Sequence, residues 1–134
     1  MKKLISVILV FAVVLSLCTT VFADYQLYDV GNVTKLSTLS VSGTTATCTS
    51  LATFANTDVS SVKITQTLEK QGFLWIWGRY AGDWTKTLTK SGNLSTTVYN
   101  LSSGNYRVKS VFVITLKDGT SQTITLYSAE KTVP

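Results

Sequence analysis

Apolar and polar side chains alternate through most of this sequence, and this pattern restricts its fold more than any other feature. Gly, Asn and Asp interrupt the alternation at short intervals, while the only Pro is the last residue of the chain. Alternate side chains of a β-strand face opposite sides of a sheet, so such segments predict half-buried strands joined by tight turns. No segment beyond residue 23 shows helical periodicity. The sequence therefore predicts an all-β, antiparallel domain.

Seven strands and one short edge strand fit this pattern. The predicted strands are residues 36–41, 45–54, 61–70, 73–80, 94–101, 105–117 and 120–128, with 85–90 as the edge strand. The side chains predicted to face the core are Cys48, Ala52, Phe54, Val62, Ile64, Leu68, Tyr106, Val108, Phe112, Ile114 and Leu116. Strands that bury one face in this way pack as two facing sheets, so the sequence predicts a sandwich.

The segment from Leu101 to Val108 matches the tyrosine corner of immunoglobulin-like sandwiches. In that corner a Tyr near the start of a strand bonds through its hydroxyl to the backbone of the preceding connection. Tyr106 occupies this position, and Gly104 supplies the backbone freedom that the corner needs. Antibody domains carry a disulfide Cys two residues after the Tyr, where this chain has Val108. We therefore predict an immunoglobulin-like antiparallel β-sandwich of about seven strands without that disulfide.

The first 23 residues have the composition of a secretory signal peptide. Lys2 and Lys3 precede an apolar run, and the sequence Val-Phe-Ala at 21–23 follows it as a cleavage site. The run is shorter than the roughly 20 residues that a transmembrane helix needs. We predict a signal helix over 1–23, cleavage after Ala23, and a secreted, extracellular domain over 24–134. Residues 24–35 are predicted to be its loosely ordered start.

The two cysteines are divided between these two parts of the chain. Cleavage removes Cys18 and leaves Cys48 without an intrachain partner, so a disulfide-stapled fold is excluded. Cys48 is then either a small buried hydrophobic residue or half of an intermolecular disulfide. Cys18 also allows a lipid-anchored alternative, because the residues before it resemble a bacterial lipoprotein signal. That signal requires a small residue where this chain has Leu17.

Residue counts exclude most catalytic and metal chemistry. The chain has no His, which rules out His-dependent triads and metal sites built from His. Its Asp residues are dispersed, so the sequence contains no calcium-binding loop. Loss of the two signal-peptide lysines lowers the net charge from +5 to +3, and the remaining lysines are scattered rather than clustered. We predict no enzymatic activity, no cofactor, no metal and no nucleic-acid partner.

Trp75 and Trp77 share a face at period two, as a pair of rings that stacks on a carbohydrate would. Strand register argues against this function for both of them. A two-residue turn at Gln71-Gly72 places Trp75 opposite Leu68 and Trp77 opposite Gln66, and opposed residues share a face. A four-residue connection keeps the same parity. Trp75 is therefore predicted to join the core and Trp77 to lie at the rim of the sandwich.

The connections between strands supply another candidate site. In an immunoglobulin-like sandwich alternate connections gather at one end, as antigen-binding loops do. The ligand-binding residues predicted at this end are Asp58, Tyr80, Asp83, Trp84 and Asp118, together with Asn56 and Lys117. Aromatic rings among carboxylates and amides suit a sugar or peptide ligand. The alternative is a set of solvated turns in which Trp84 packs over the core.

Three segments of the mature chain carry a family resemblance. They are Leu-Ser-Val-Ser-Gly-Thr-Thr-Ala-Thr-Cys at 39–48, Lys-Ile-Thr-Gln-Thr-Leu-Glu-Lys at 63–70 and Gly-Asn-Tyr-Arg-Val at 104–108. Together they resemble a group of small uncharacterised secreted proteins of Gram-positive, Firmicutes-type gut bacteria. The resemblance covers nearly all of the mature chain and implies secretion and a compact β domain. It implies no catalytic residue, because that group has no assigned activity.

The sequence as a whole predicts a secreted, monomeric, non-enzymatic binding module for an extracellular glycan or protein, with no membrane span in the mature chain. Two alternatives remain open. Small size, positive charge and aromatic content also fit a secreted antimicrobial or membrane-active protein. Pairing of exposed edge strands fits a structural component of an extracellular matrix or coat.

Overall fold

The computed structural model describes residues 33–55 and 58–134. Within these ranges the chain forms eight β-strands: β1 (Thr34–Ser42), β2 (Thr45–Thr53), β3 (Val59–Gln71), β4 (Trp77–Leu88), β5 (Gly92–Val98), β6 (Gly104–Leu116), β7 (Ser121–Tyr127) and β8 (Lys131–Val133). The predicted signal helix lies outside the described residues. Of the start predicted to be loosely ordered, residues 24–32 also lie outside the described residues, while Thr34 and Lys35 belong to β1.

The strands form two antiparallel sheets, an arrangement consistent with a β-sandwich. One sheet has the order β1-β2-β5, and the other has the order β4-β3-β6-β7 with β8 beside the first residues of β6. The sheets meet across Ser50 of β2 and Ser110 of β6, whose hydroxyl oxygens are 2.7 Å apart. The all-β, antiparallel prediction is therefore confirmed.

Inward side chains of the two sheets form two apolar clusters, one toward each end of the sandwich. The first cluster contains Val33, Ala52, Phe54, Val59, Val62, Ile64, Leu88, Phe112 and Ile114. The second cluster contains Leu39, Ala46, Cys48, Leu68, Leu101, Tyr106, Val108 and Val133. The predicted core side chains of β2, β3 and β6 are buried, except that Leu116 is half-buried. Period-two alternation located these faces correctly because each of these strands turns alternate side chains toward the opposite sheet.

A layer of hydrogen-bonded polar side chains lies between the two clusters. Gln66 Nε2 donates to Ser50 Oγ at 2.7 Å, and Ser50 Oγ contacts Ser110 Oγ. Ser110 Oγ in turn donates to Ser37 Oγ at 2.8 Å. All four side chains are buried, and their mutual bonds offset part of the desolvation that burial of polar groups costs. The exception is Gln66 Oε1, which is buried and has no hydrogen-bond partner among the described residues. The two sheets are thus joined by a polar bridge as well as by apolar contact.

Tyr106 holds the connection between β5 and β6 in the predicted way. Its side chain is fully buried, and its hydroxyl donates to the Ser102 carbonyl at 2.6 Å. Gly104 has φ 149°, and a Cβ at this position would lie 2.6 Å from Lys70 Cε. Glycine adopts this backbone freely and leaves the space that Lys70 occupies. Lys70 Nζ also donates to Ser102 Oγ at 2.7 Å, so the corner is fastened to the end of β3.

The region after β3 differs from the prediction. A single long strand, β4, replaces both the predicted strand 73–80 and the predicted edge strand 85–90. The pairing of β4 with β3 shifts its register at two places along this single strand. Gly82 and Asp83 lie at one of these two shifts, and their φ values are 114° and 72°. The sequence did not predict this shift because a bulge adds one residue to a strand and shifts its alternation by one position, a change that is easily mistaken for the end of the strand.

Candidate binding surface

The structure divides the predicted ligand-binding residues between two places. The β2–β3, β4–β5 and β6–β7 connections meet at one end, around an open groove of about 380 Å³. Asp58 and Asp118 belong to this end, where the Lys117 N–H donates to the Asp58 carbonyl at 2.9 Å. Tyr80, Asp83 and Trp84 are not in a connection, because they lie within β4. Asn56 lies outside the described residues.

Asp118 stabilises its own turn between β6 and β7. Its Oδ1 atom accepts hydrogen bonds from the Thr120 hydroxyl at 2.6 Å and from the Thr120 N–H at 2.9 Å. These bonds, that of the hydroxyl first, hold the pKa of Asp118 below its ordinary value. The orientation of this carboxylate is accounted for by local turn structure.

Asp83 and Trp84 also have structural roles. Asp83 Oδ1 accepts a hydrogen bond from Thr67 Oγ1 at 2.8 Å, and its other oxygen lies 3.4 Å from Arg79 Nε. The half-buried Trp84 packs against the second cluster, and its ring covers Gly82 so closely that a Cβ there would be 2.7 Å away. The alternative interpretation, in which Trp84 packs over the core, is the one that the structure favours.

Tyr80 lies toward the end of the sandwich opposite the groove. Its ring meets the ring of Tyr106 edge to face, with centroids 5.2 Å apart and an interplanar angle of 87°. The ammonium of Lys70 lies 5.9 Å from the Tyr80 centroid and 5.6 Å from the Tyr106 centroid. Tyr80 is 38% exposed, so one side of it braces the corner and the other faces solvent.

The β3–β4 connection holds four consecutive large apolar side chains that are each more than half exposed. Phe73 is 85% exposed, Leu74 63%, Trp75 77% and Ile76 66%, and we call these four residues the apolar tip. The prediction that Trp75 joins the core is wrong. The connection spans residues 72–76, with Gln71 opposite Trp77. Trp75 therefore lies at the apex of the hairpin and does not pair with β3.

Hydrogen bonds define the conformation of the apolar tip. The Ile76 N–H donates to the Phe73 carbonyl at 3.3 Å, and the Gly72 N–H donates to the Ile76 carbonyl at 2.8 Å. Leu74 has φ 55° and Trp75 has φ 58°. A two-residue hairpin turn of type I′ requires positive φ at both central positions. The apolar tip is therefore a turn of this kind with Leu and Trp at its centre.

Leu and Trp are costly residues for such a turn. Asn-Gly is the preferred pair at its centre, since residues with larger side chains lose about 1–2 kcal/mol each in the left-handed region. Neither Leu74 nor Trp75 is buried, so burial does not offset this cost. Backbone strain of this sort is concentrated at functional sites. The fold alone gives no reason for these two side chains at the apex.

A stack of side chains supports the hairpin behind the apolar tip. The Arg107 guanidinium carbon lies 4.3 Å from the ring centroid of Trp77 and 4.1 Å from that of Tyr127. Arg107 Nε also donates to Glu69 Oε2 at 2.7 Å. These four residues belong to β4, β6, β7 and β3, so the stack crosses the whole outer face of the larger sheet. Trp77 is thus half-buried on this face, and its partner in the ladder is Gln71 rather than the predicted Gln66.

Three exposed tyrosines lie toward the same end of the sandwich as the apolar tip. They are Tyr80 in β4, Tyr127 at the end of β7, and Tyr99 in the β5–β6 connection. Sequence reasoning located only part of this surface: a strand over 73–80 places Leu74 and Ile76 on the outer face of the sheet, where they could meet a partner, but it directs Trp75 into the core. The signal was present: the residues from Phe73 to Trp77 are five consecutive apolar residues, one more than the next longest apolar run beyond residue 23, at 111–114.

Comparison with known proteins adds no functional assignment: no family model matches the chain, and no curated protein gives a significant match. Among residues 33–55 and 58–134, no group of carboxylate or thiol side chains is arranged to hold a metal ion. In the same part of the chain no helix has the length and apolar character needed to cross a membrane.

Proposed function

We propose that this protein is an extracellular, non-enzymatic binding module that contacts its partner through the apolar tip. The observation that carries the proposal is the exposure of Phe73, Leu74, Trp75 and Ile76 on a strained turn. Contiguous exposed apolar side chains are typical of interaction sites. Trp is also among the residues that dominate binding energy at interfaces. We therefore assign the binding site to the apolar tip instead of the connection residues predicted from the sequence.

The remaining parts of the proposal concern the fold family and the location. We infer an immunoglobulin-like sandwich, since the strand order and the Tyr106–Ser102 bond both fit that architecture. We infer secretion from the signal-peptide composition of residues 1–23. A secreted sandwich with an exposed apolar hairpin at one end suits recognition of another surface better than chemistry.

A double variant tests the proposal while keeping the turn. Leu74→Asn with Trp75→Gly installs the preferred type I′ pair and removes two of the four apolar side chains. Protein secreted from the full chain is isolated from culture medium, labelled at its N-terminus, and incubated with intact Gram-positive cells and with cultured epithelial cells. We expect the wild type to attach to at least one cell type and the double variant to lose attachment.

Leu36→Thr is the matched control, because Leu36 is an exposed apolar residue on β1, away from the apolar tip. It should attach as the wild type does. Failure of the wild type to attach to either cell type, or attachment of the double variant at the wild-type level, would overturn the proposal. Mass spectrometry of the secreted form also tests cleavage after Ala23, since a lipidated Cys18 gives a different N-terminus.

A further inference from the structure

We propose that the partner of the apolar tip is the interfacial region of a lipid bilayer, into which the hairpin inserts reversibly. This inference rests on the proposed function and names the partner of the same site.

The shape of the apolar tip favours a partner that conforms to it. Successive side chains around a two-residue turn point in different directions, and each of the four is more than half exposed. They form a convex knob rather than a flat patch or a groove. A bilayer interface closes around a knob of any outline, whereas a folded protein needs a pocket of matching shape.

The length of the hairpin matches the depth of the interface. Its apex lies three residues beyond the Gln71–Trp77 pair, which is the last pair of the β3–β4 ladder. At roughly 3.3 Å per residue the apolar tip projects by at most about 10 Å. Apolar groups of proteins adsorbed to membranes reach about 5–10 Å into the boundary between headgroups and acyl chains.

Side-chain polarity changes with distance from the apex in the order that an interface favours. Phe, Leu, Trp and Ile occupy the apex, and the exposed Tyr80 and Tyr99 lie further back at the same end. Tyrosine and tryptophan, with an apolar ring and a polar atom, concentrate at the level of lipid headgroups. Insertion of the four apolar residues brings these hydroxyl groups toward that level.

Charges next to the hairpin favour an anionic surface. Glu69 and Asp83 are each paired with an arginine, Arg107 and Arg79 respectively. The ammonium of Lys70 has Ser102 and two tyrosine rings as its neighbours, and among the described residues no carboxylate pairs with it. The base of the hairpin therefore has one uncompensated positive charge, and the chain that remains after the predicted cleavage has a net charge of +3. Attraction to anionic lipid adds to apolar insertion.

Vesicle partitioning tests the inference. The secreted protein is mixed with vesicles of phosphatidylcholine alone or of phosphatidylcholine with phosphatidylglycerol, and the bound fraction is measured by flotation together with tryptophan emission. We expect binding to both, stronger on the anionic vesicles, with a blue-shifted emission. Leu74→Asn with Trp75→Gly should lower the partition coefficient by roughly tenfold or more, because two large side chains no longer insert. Leu36→Thr should bind like the wild type, and Trp75→Phe should retain most of the binding.

Each other outcome has a defined meaning. If the wild type binds neither vesicle, or if the double variant partitions like the wild type, a lipid partner is excluded. If the wild type does not bind vesicles but the double variant still loses attachment to cells, the partner is a protein or glycan. The proposed function then stands and this inference falls. If the apolar tips of two copies join instead, sedimentation of the wild type without lipid shows dimers that the double variant lacks.

Discussion

Replacement of the apex residues by Asn-Gly should make the protein more stable. Leu74 and Trp75 both have positive φ, and a side chain in this region costs about 1–2 kcal/mol per residue. Glycine removes the cost at position 75, and asparagine tolerates the conformation at position 74 better than leucine. The greater freedom of glycine in the unfolded chain takes back about 0.5–1 kcal/mol. Trp75 is 77% exposed, so its removal loses little packing.

The expected net gain for Leu74→Asn with Trp75→Gly is about 1–2 kcal/mol in the free energy of unfolding. For a domain of this size that gain corresponds to a rise of about 5–10 °C in Tm. Urea unfolding followed by far-ultraviolet circular dichroism measures it, since the m-value shows whether the transition remains two-state. Leu74→Ala with Trp75→Ala is the control: it removes the same apolar surface but retains positive φ on residues that carry Cβ.

The two double variants distinguish strain from exposure. A gain confined to the Asn-Gly variant supports the interpretation that the chain tolerates strain at the apex for the sake of binding. An equal gain in the Ala-Ala variant would show that exposed apolar surface, not backbone strain, lowers the stability. A loss of stability in the Asn-Gly variant would refute the reasoning, because it would mean that the two side chains stabilise the folded state.

Two further predictions concern the second cluster. Tyr106→Phe should destabilise the protein by about 1–2 kcal/mol, because the Ser102 carbonyl loses the bond that it receives in the corner; urea unfolding measures this, and an unchanged midpoint would contradict it. Burial raises the pKa of the Cys48 thiol from 9.0 to about 11, so the unfolded chain ionises first as the pH rises. Stability is therefore complete below about pH 8 and declines through pH 9–11, by about 2 kcal/mol at pH 10.5. Cys48→Ala should lack this part of the decline, and parallel pH curves for the two proteins would contradict the prediction.

Alternation predicted the strands because a two-layer fold buries one face of each strand. Cys48, Val62 and Phe112 lie where the pattern placed them, and each is fully buried. The tyrosine corner was predictable because a single side chain closes a local loop: Tyr106 and Ser102 are only four residues apart. Period-two patterns and local turns are properties of short segments, and a single sequence records them well.

The β3–β4 hairpin was not predictable by the same reasoning. Its register depends on where the turn lies, and Gly72 indicated a turn two residues before the actual apex at Leu74 and Trp75. That apex contradicts the usual turn preferences. The predicted strand 73–80 ends before Trp84, so the sequence places Trp84 in a connection and in the candidate site, whereas the structure places it within β4 and packs it on the core. The same predicted strand includes the residues of the apolar tip, which the structure places in a turn.

The polar layer between the two clusters has a consequence for how the sheets align. A slip of two residues is the smallest that keeps every apolar face inward. Such a slip would move Gln66 to the level of Ile64 or Leu68, among side chains that offer no hydrogen bonds. Each buried polar group left without a partner costs roughly 1–3 kcal/mol. Only one alignment of the two sheets therefore preserves the hydrogen bonds of the polar layer, which consists of Ser37, Ser50, Gln66 and Ser110. The repetitive apolar pattern alone would not select that alignment. Because Gln66 belongs to β3, fixing its position also fixes which residues lie at the end of the β3–β4 hairpin, namely those of the apolar tip.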